Sequence, residues 1–87
     1  MARLLIADNS PFYRELVGKA MEQAGYEVRL ASDGLEALRV LASERFDAVI
    51  LDLVMPRVGG ARACRQIKAD PLTAHLPVII LSGLREE

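Results

Sequence analysis

Residues 47–60 read Asp47-Ala48-Val49-Ile50-Leu51-Asp52-Leu53-Val54-Met55-Pro56-Arg57-Val58-Gly59-Gly60. The apolar run from Ala48 to Leu51 stops abruptly at a carboxylate. Taking an unpaired charge out of water is costly or forces its pKa to shift, so a strand ending in Asp52 delivers that acid to a solvent-lined rim. Residues 3–7 repeat the pattern, with Arg3-Leu4-Leu5-Ile6-Ala7 running into Asp8. In an open parallel sheet the carboxyl ends of neighbouring strands border the crevice where ligands bind. Two acidic strand ends therefore point to one oxygen-rich site.

Strand and helix patterns alternate along the rest of the chain, as in βαβ units with parallel strands. The first strand covers 3–7. Ser10 is positioned as an N-cap with Pro11 at the first helical position; Phe12, Leu16, Val17, Ala20, Met21 and Ala24 then recur at helical spacing until Gly25 stops the helix, which predicts a helix over 10–24. Tyr26 to Ala31 alternates in polarity, the pattern of an edge strand with one solvated side. Ser32-Asp33-Gly34 turns the chain into a second helix bearing Leu35, Leu38 and Leu41 and ending near Ser43. Asp47 to Leu51 is a continuous apolar run of the kind buried on both faces, and a third helix over 60–69 runs from Gly59-Gly60 to Asp70-Pro71. Val78 to Leu81 is the last strand, with Pro77 tolerated at its entry, and it leads into Ser82-Gly83. The order βαβαβαβ defines an α/β, doubly wound open parallel sheet.

The chain has 87 residues, 52% of them hydrophobic and 26% charged, with a formal net charge of -1. That length is one domain over 1–87, and the balance gives no electrostatic reason to bind nucleic acid or anionic lipid. Arginines at positions 3, 14, 29, 39, 45, 57, 62, 65 and 85 form no stripe, although 57, 62 and 65 gather around the third helix. Most read as solvated faces. The single cysteine, Cys64, excludes an internal disulfide and falls in register with Ala61 and Ile67, where a thiol packs as a small apolar group. The N-terminal apolar run, Leu4 to Ala7, is far too short for a signal peptide, and no segment is long enough to span a bilayer. The expected compartment is the reducing cytoplasm.

Four segments in order resemble one family, the receiver domain of two-component response regulators. They are Leu4 to Ser10, Ala31 to Leu38, Asp47 through Gly60, and Leu76 to Gly83, and the most specific feature is Asp52 followed by Met55-Pro56 and Gly60. The resemblance implies a flavodoxin-like receiver whose Asp52 accepts a phosphoryl group from the phosphohistidine of a sensor histidine kinase or phosphotransfer protein. It implies Mg²⁺ held by Asp8, Asn9, Asp52 and the backbone carbonyl of Val54, and a switch hydroxyl at Ser82. The chemistry agrees with the residue types. A carboxylate is a competent nucleophile, phosphoryl transfer needs mainly in-line positioning and cationic stabilisation, and Mg²⁺ prefers oxygen ligands with one or two carboxylates.

Two departures from the family stand out. Asn9 occupies the place of a second adjacent acid; it keeps an oxygen but loses a charge. A unit charge about 4 Å from an ion is worth roughly 4 kcal/mol at an effective dielectric near 20, before desolvation offsets part of it, so Mg²⁺ should bind more weakly. The family also has five βα units in strand order 2-1-3-4-5, whereas this chain carries four strands, expected in order 2-1-3-4, and three helices. The last helix-strand-helix and the lysine at the end of the fifth strand are missing. Lys19 and Lys68 lie on helices that do not point at the site. The fourth strand then forms an exposed edge, and the 87 residues are expected either to self-associate through it or to be a piece of a longer product.

Other readings of the same residues stay open. Asp8 can cap the first helix, Asp52 can be a turn residue, Ser82 can be an ordinary turn hydroxyl, and His75 has no partners at metal-ligand spacing. Met55-Pro56 and Gly59-Gly60 shape a tight turn, Pro by fixing φ and Gly by permitting φ > 0. Three functions compete: a phosphoacceptor module that is not an enzyme beyond its own phosphorylation and dephosphorylation, a pseudo-receiver that binds partners without phosphoryl chemistry, and a fragment of an unrelated doubly wound enzyme. The last lacks any G-x-G-x-x-G or P-loop glycine pattern.

Overall fold

A computed structural model describes residues 1–81. Seven elements follow in the order β1 (Arg3–Ala7), α1 (Pro11–Gln23), β2 (Glu27–Ala31), α2 (Gly34–Ser43), β3 (Ala48–Asp52), α3 (Gly60–Ala69) and β4 (Val78–Leu81). Local chemistry sets the helix starts. Ser10 Oγ accepts the Tyr13 N–H at 3.3 Å with Pro11 next in line, and Asp33 Oδ1 accepts the Glu36 N–H at 2.8 Å at the head of α2.

The strands form one parallel sheet in the order β2-β1-β3-β4. Both faces of the central strands are covered, which is why β1 and β3 read as unbroken apolar runs. Leu5, Ala7, Val49 and Leu51 face α2 and α3, meeting Ala37, Val40, Ala63 and Ile67. Leu4, Ile6 and Ile50 face the other way, toward Val17 and Met21 of α1. Leu5, Ile6, Val49, Leu51 and Ile67 are fully buried, each contributing about 1.5–3 kcal/mol relative to exposure. The alternating β2 sits at the edge of the sheet as its pattern predicts. Among the described residues no helix is long and apolar enough to cross a membrane.

Three expectations need correction. The apolar set on α1 is only partly used: Val17 and Met21 are half-buried, whereas Phe12 is 68% and Leu16 54% exposed, and Ala20 and Ala24 are exposed. The helix lies mainly over β2 and β1, so one flank of its apolar stripe has no strand beneath it. On α3 the buried stripe is Gly60, Ala63 and Ile67, with Cys64 half-buried on its flank and Ala61 exposed. Ala61 lies about 100° around the helix from Gly60, outside that stripe. Tyr26 precedes β2 rather than starting it, and β3 begins at Ala48, because Asp47 turns aside to accept the Arg3 N–H at 2.7 Å.

At the carboxyl end of the strands, Gly34 makes the tightest approach of the described glycines. A Cβ there would lie 2.0 Å from the Val58 carbonyl oxygen. The first turn of α2 is thus flush against the backbone of the loop that follows β3. This contact fixes where that loop can run.

Candidate functional site

The ladder places the two acids. Ala7 pairs with Leu51 across β1 and β3, so the next residue outward on each strand is Asp8 and Asp52. The pairing continues past the strand ends, with the Asp8 N–H donating to the Ala31 carbonyl at 3.1 Å and the Leu53 N–H to the Leu81 carbonyl at 2.9 Å. Neighbouring strands are about 4.8 Å apart, so the two acids stand side by side. Because side chains alternate, Asp8 takes the face of Ile6 and Asp52 that of Ile50, the same side of the sheet. Both are buried, each at 4% exposure.

Asp8 does not cap α1, which Ser10 does, but opens the turn that leads into it. Its Oδ1 accepts the Ser10 N–H at 2.9 Å, an Asx turn that starts the path into α1, and its carbonyl accepts Arg14 Nη1 at 2.8 Å. Asn9 follows, exposed at the same rim. Val54 is 74% exposed on the loop after β3, while its neighbours Met55 and Val58 are buried in the α2/α3 core and anchor that loop. Gly60 lets the loop return: its N–H donates to the Leu53 carbonyl at 2.8 Å, and a Cβ would lie 2.3 Å from the Asp52 carbonyl oxygen. The φ > 0 expected of Gly59-Gly60 is found elsewhere. Arg57 has φ 69°, and the Val58 N–H donates to the Pro56 carbonyl at 2.8 Å, so the turn is a γ-turn of the rarer, strained hand.

Arg57 and Asp33 are the residues that sequence reading missed, having been taken as a solvated face and a simple turn. Arg57 Nε and Nη2 both donate to Asp33 Oδ2, at 2.9 and 2.7 Å. Asp33 Oδ1 is meanwhile the cap of α2, and Glu36 Oε1 accepts the Ser32 N–H at 2.7 Å and its hydroxyl at 2.8 Å. The Glu36 N–H, and then the Arg57 guanidinium, hold the Asp33 carboxyl below the usual aspartate range, against the opposing effect of burial. The only local signal was the Ser32-Asp33-x-x-Glu36 capping pattern, which marks a helix start but not a partner 24 residues away.

Ser82, read as the switch hydroxyl, lies outside the described residues. Lys68 Nζ donates to the Ala74 carbonyl at 3.1 Å and to the Leu76 carbonyl, beyond the C-terminal end of α3. His75 is exposed, lining a groove with Phe46 and Leu72 at the opposite, amino end of the strands. Among the described residues no group of three or more His, Cys, Asp or Glu could hold a metal. Two neighbouring buried carboxylates at a solvent-bordered rim offer hard oxygen ligands. That set suits Mg²⁺, which commonly uses one or two carboxylates and completes its shell with water and phosphate.

Comparison with known proteins agrees with this geometry. The response regulator receiver domain profile matches residues 4–87, and the chain belongs to that family. The response regulator MprA of Mycolicibacterium vanbaalenii is 41% identical over 81 residues, 93% of this chain and 34% of the relative. The receiver domain of a signal transduction histidine kinase from Syntrophus aciditrophicus superposes with a TM-score of 0.93 at 34% identity, over 99% of this chain and 65% of that one. Thermotoga maritima TrrA, solved in complex with Mg²⁺-BeF, gives a TM-score of 0.90 at 33% identity, over 98% of this chain and 72% of that one. The chain thus spans about a third of the curated relatives it matches. It is a receiver domain of the two-component type, with the strand order 2-1-3-4 expected of it.

The Asp33 environment predicts a pH signature. A carboxyl whose folded pKa is depressed stabilises the fold fully above its unfolded value, and that contribution is lost as pH falls through the folded value. Asp33→Asn keeps a capping oxygen but removes the charge. It should cost about 0.2–1 kcal/mol at pH 7, the range for an ion pair whose cation, here Arg57, stands half in solvent. Thermal melts from pH 7 to pH 3 should show the gap to wild type closing once pH drops below the ordinary aspartate range. A constant gap down to pH 3 contradicts the assignment.

Proposed function

We propose that this chain is the phosphoacceptor module of a two-component phosphorelay, taking a phosphoryl group on Asp52 from the phosphohistidine of a partner histidine kinase or phosphotransfer protein. The observation that supports this most is the pairing of buried Asp52 with buried Asp8 at the carboxyl rim of the sheet. An Asp52 carboxylate oxygen forms the new P–O bond in line as the P–N bond breaks, and the bonding electron pair returns to the imidazole nitrogen. Mg²⁺ neutralises phosphoryl charge when bound, and Asp8, Asn9, Asp52 and the Val54 carbonyl are the groups that would hold it. Ser82 would donate its hydroxyl to a phosphoryl oxygen once the group has transferred.

Asn9 favours a second reading, a pseudo-receiver that binds partners without phosphoryl chemistry, because the rim carries one acid fewer than the family pattern. Incubation with Mg²⁺ and a small phosphodonor separates the two. Intact mass spectrometry should show one phosphoryl group on wild type and none on Asp52→Asn. An unlabelled wild type decides for the pseudo-receiver.

The cost of Asn9 is measurable by calorimetric titration. Asn9→Asp should bind Mg²⁺ about tenfold more tightly, well inside the Coulomb limit for a restored charge near the ion. Equal affinities would mean that position 9 does not touch the metal.

The same 87 residues carry a partner expectation. On β4, the last strand of the sheet among the described residues, Ile79 is 52% and Ile80 36% exposed. A second copy pairing along that edge would cover them. Sedimentation of the 87-residue chain should show dimer growing in over the micromolar range, and a monomer throughout rules the pairing out.

A further inference from the structure

The loop from Leu53 to Gly59 carries the Val54 carbonyl, yet nothing about Val54 itself fixes it, since its side chain is 74% exposed. Its position is set from further along the loop. Met55 and Val58 are buried, the Val58 carbonyl lies against the first turn of α2 at Gly34, and between them Arg57 adopts φ 69° in a strained γ-turn. A non-glycine residue stays in such a conformation only when its surroundings hold it there. What holds Arg57 is Asp33 Oδ2, which accepts both Nε and Nη2. Asp33 is itself a firm anchor, 6% exposed with its other oxygen fixed on the Glu36 N–H.

We infer that Arg57 is a positioning residue: its forked pair with Asp33 clamps the loop after β3 onto the head of α2 and so sets where the Val54 carbonyl stands beside Asp8 and Asp52. This rests on the reading of that rim as a Mg²⁺-dependent phosphoacceptor site. The clamp raises Mg²⁺ affinity by removing loop freedom before the ion arrives. It touches neither ion nor phosphoryl group. Lysine cannot replace it fully, because a point charge on a flexible stem cannot place two donors on one oxygen in a fixed plane.

Arg57→Gly separates this role from folding, since glycine accepts φ 69° without strain while deleting the clamp. Its melting temperature should stay within a few degrees of wild type, and calorimetric Mg²⁺ affinity should fall about 3- to 10-fold, within the range for residues that modulate binding without touching the ligand. Asp33→Asn should lose a similar factor, the double variant no more than either single, and Arg57→Lys should recover part of the loss. Phosphodonor labelling of Arg57→Gly should be slow at low Mg²⁺ and return to within about twofold of wild type at saturation, as a loss of binding alone requires. Wild-type Mg²⁺ affinity in Arg57→Gly, or losses that add in the double variant, would overturn the inference. If no form takes phosphoryl mass yet Mg²⁺ affinity follows the clamp, the positioning role stands and the phosphoacceptor reading falls.

Discussion

The parallel pairing of β1 with β3, Leu4 against Ala48 through Ala7 against Leu51, is the constraint from which the rim follows. Each strand ends one residue later in an aspartate, and a shared register turns two distant acids into neighbours. Side chains alternate with a period of two, so a slip of one residue would send Asp52 to the opposite face from Asp8 and expel Leu51 and Val49 from their cluster. The packing on both faces opposes that slip strongly. Leu5 and Val49 are wholly buried on one side, and Ile6 is nearly so on the other.

Carboxylates at 4% exposure work against the stability of the domain that holds them. The core offsets that cost, and the site's own hydrogen bonds reduce it. Asp8 spends an oxygen on the Ser10 N–H, so the acid that helps form the rim also starts the path into α1. Asp33 does something comparable after the neighbouring strand β2, capping α2 with one oxygen and receiving Arg57 with the other. In the case of Asp33 a helix start and the loop after β3 share one carboxyl group, which couples the head of α2 to the path of that loop.

Much of the fold was legible in the residues because its signals are local. The Ala48 to Leu51 run, the Ser10-Pro11 start of α1 and the alternation of β2 each mark an element that the structure contains within a residue or two. The convergence of Asp8 and Asp52 was legible as well, since it follows from strand order and the carboxyl-end rule. The misreadings arose where an outcome depends on which surface is covered. Phe12 and Leu16 carry helical periodicity yet stay exposed, because α1 lies mainly over β2 and β1. The positive φ was assigned to Gly59-Gly60 on residue type, whereas those glycines serve close backbone approach and the strain sits on Arg57.

The order of residues alone determined the alternating elements, the parallel sheet and the two acids at its rim, because periodicity, caps and breakers act within a few positions along the chain. Tertiary structure decided how the loop after Asp52 is held. Gly34 meets Val58 and Asp33 meets Arg57 across a separation of 24 residues. Contacts of that kind exist only once α2 has been packed on the sheet beside the loop that follows β3, and no local pattern in either segment encodes the partner it will find.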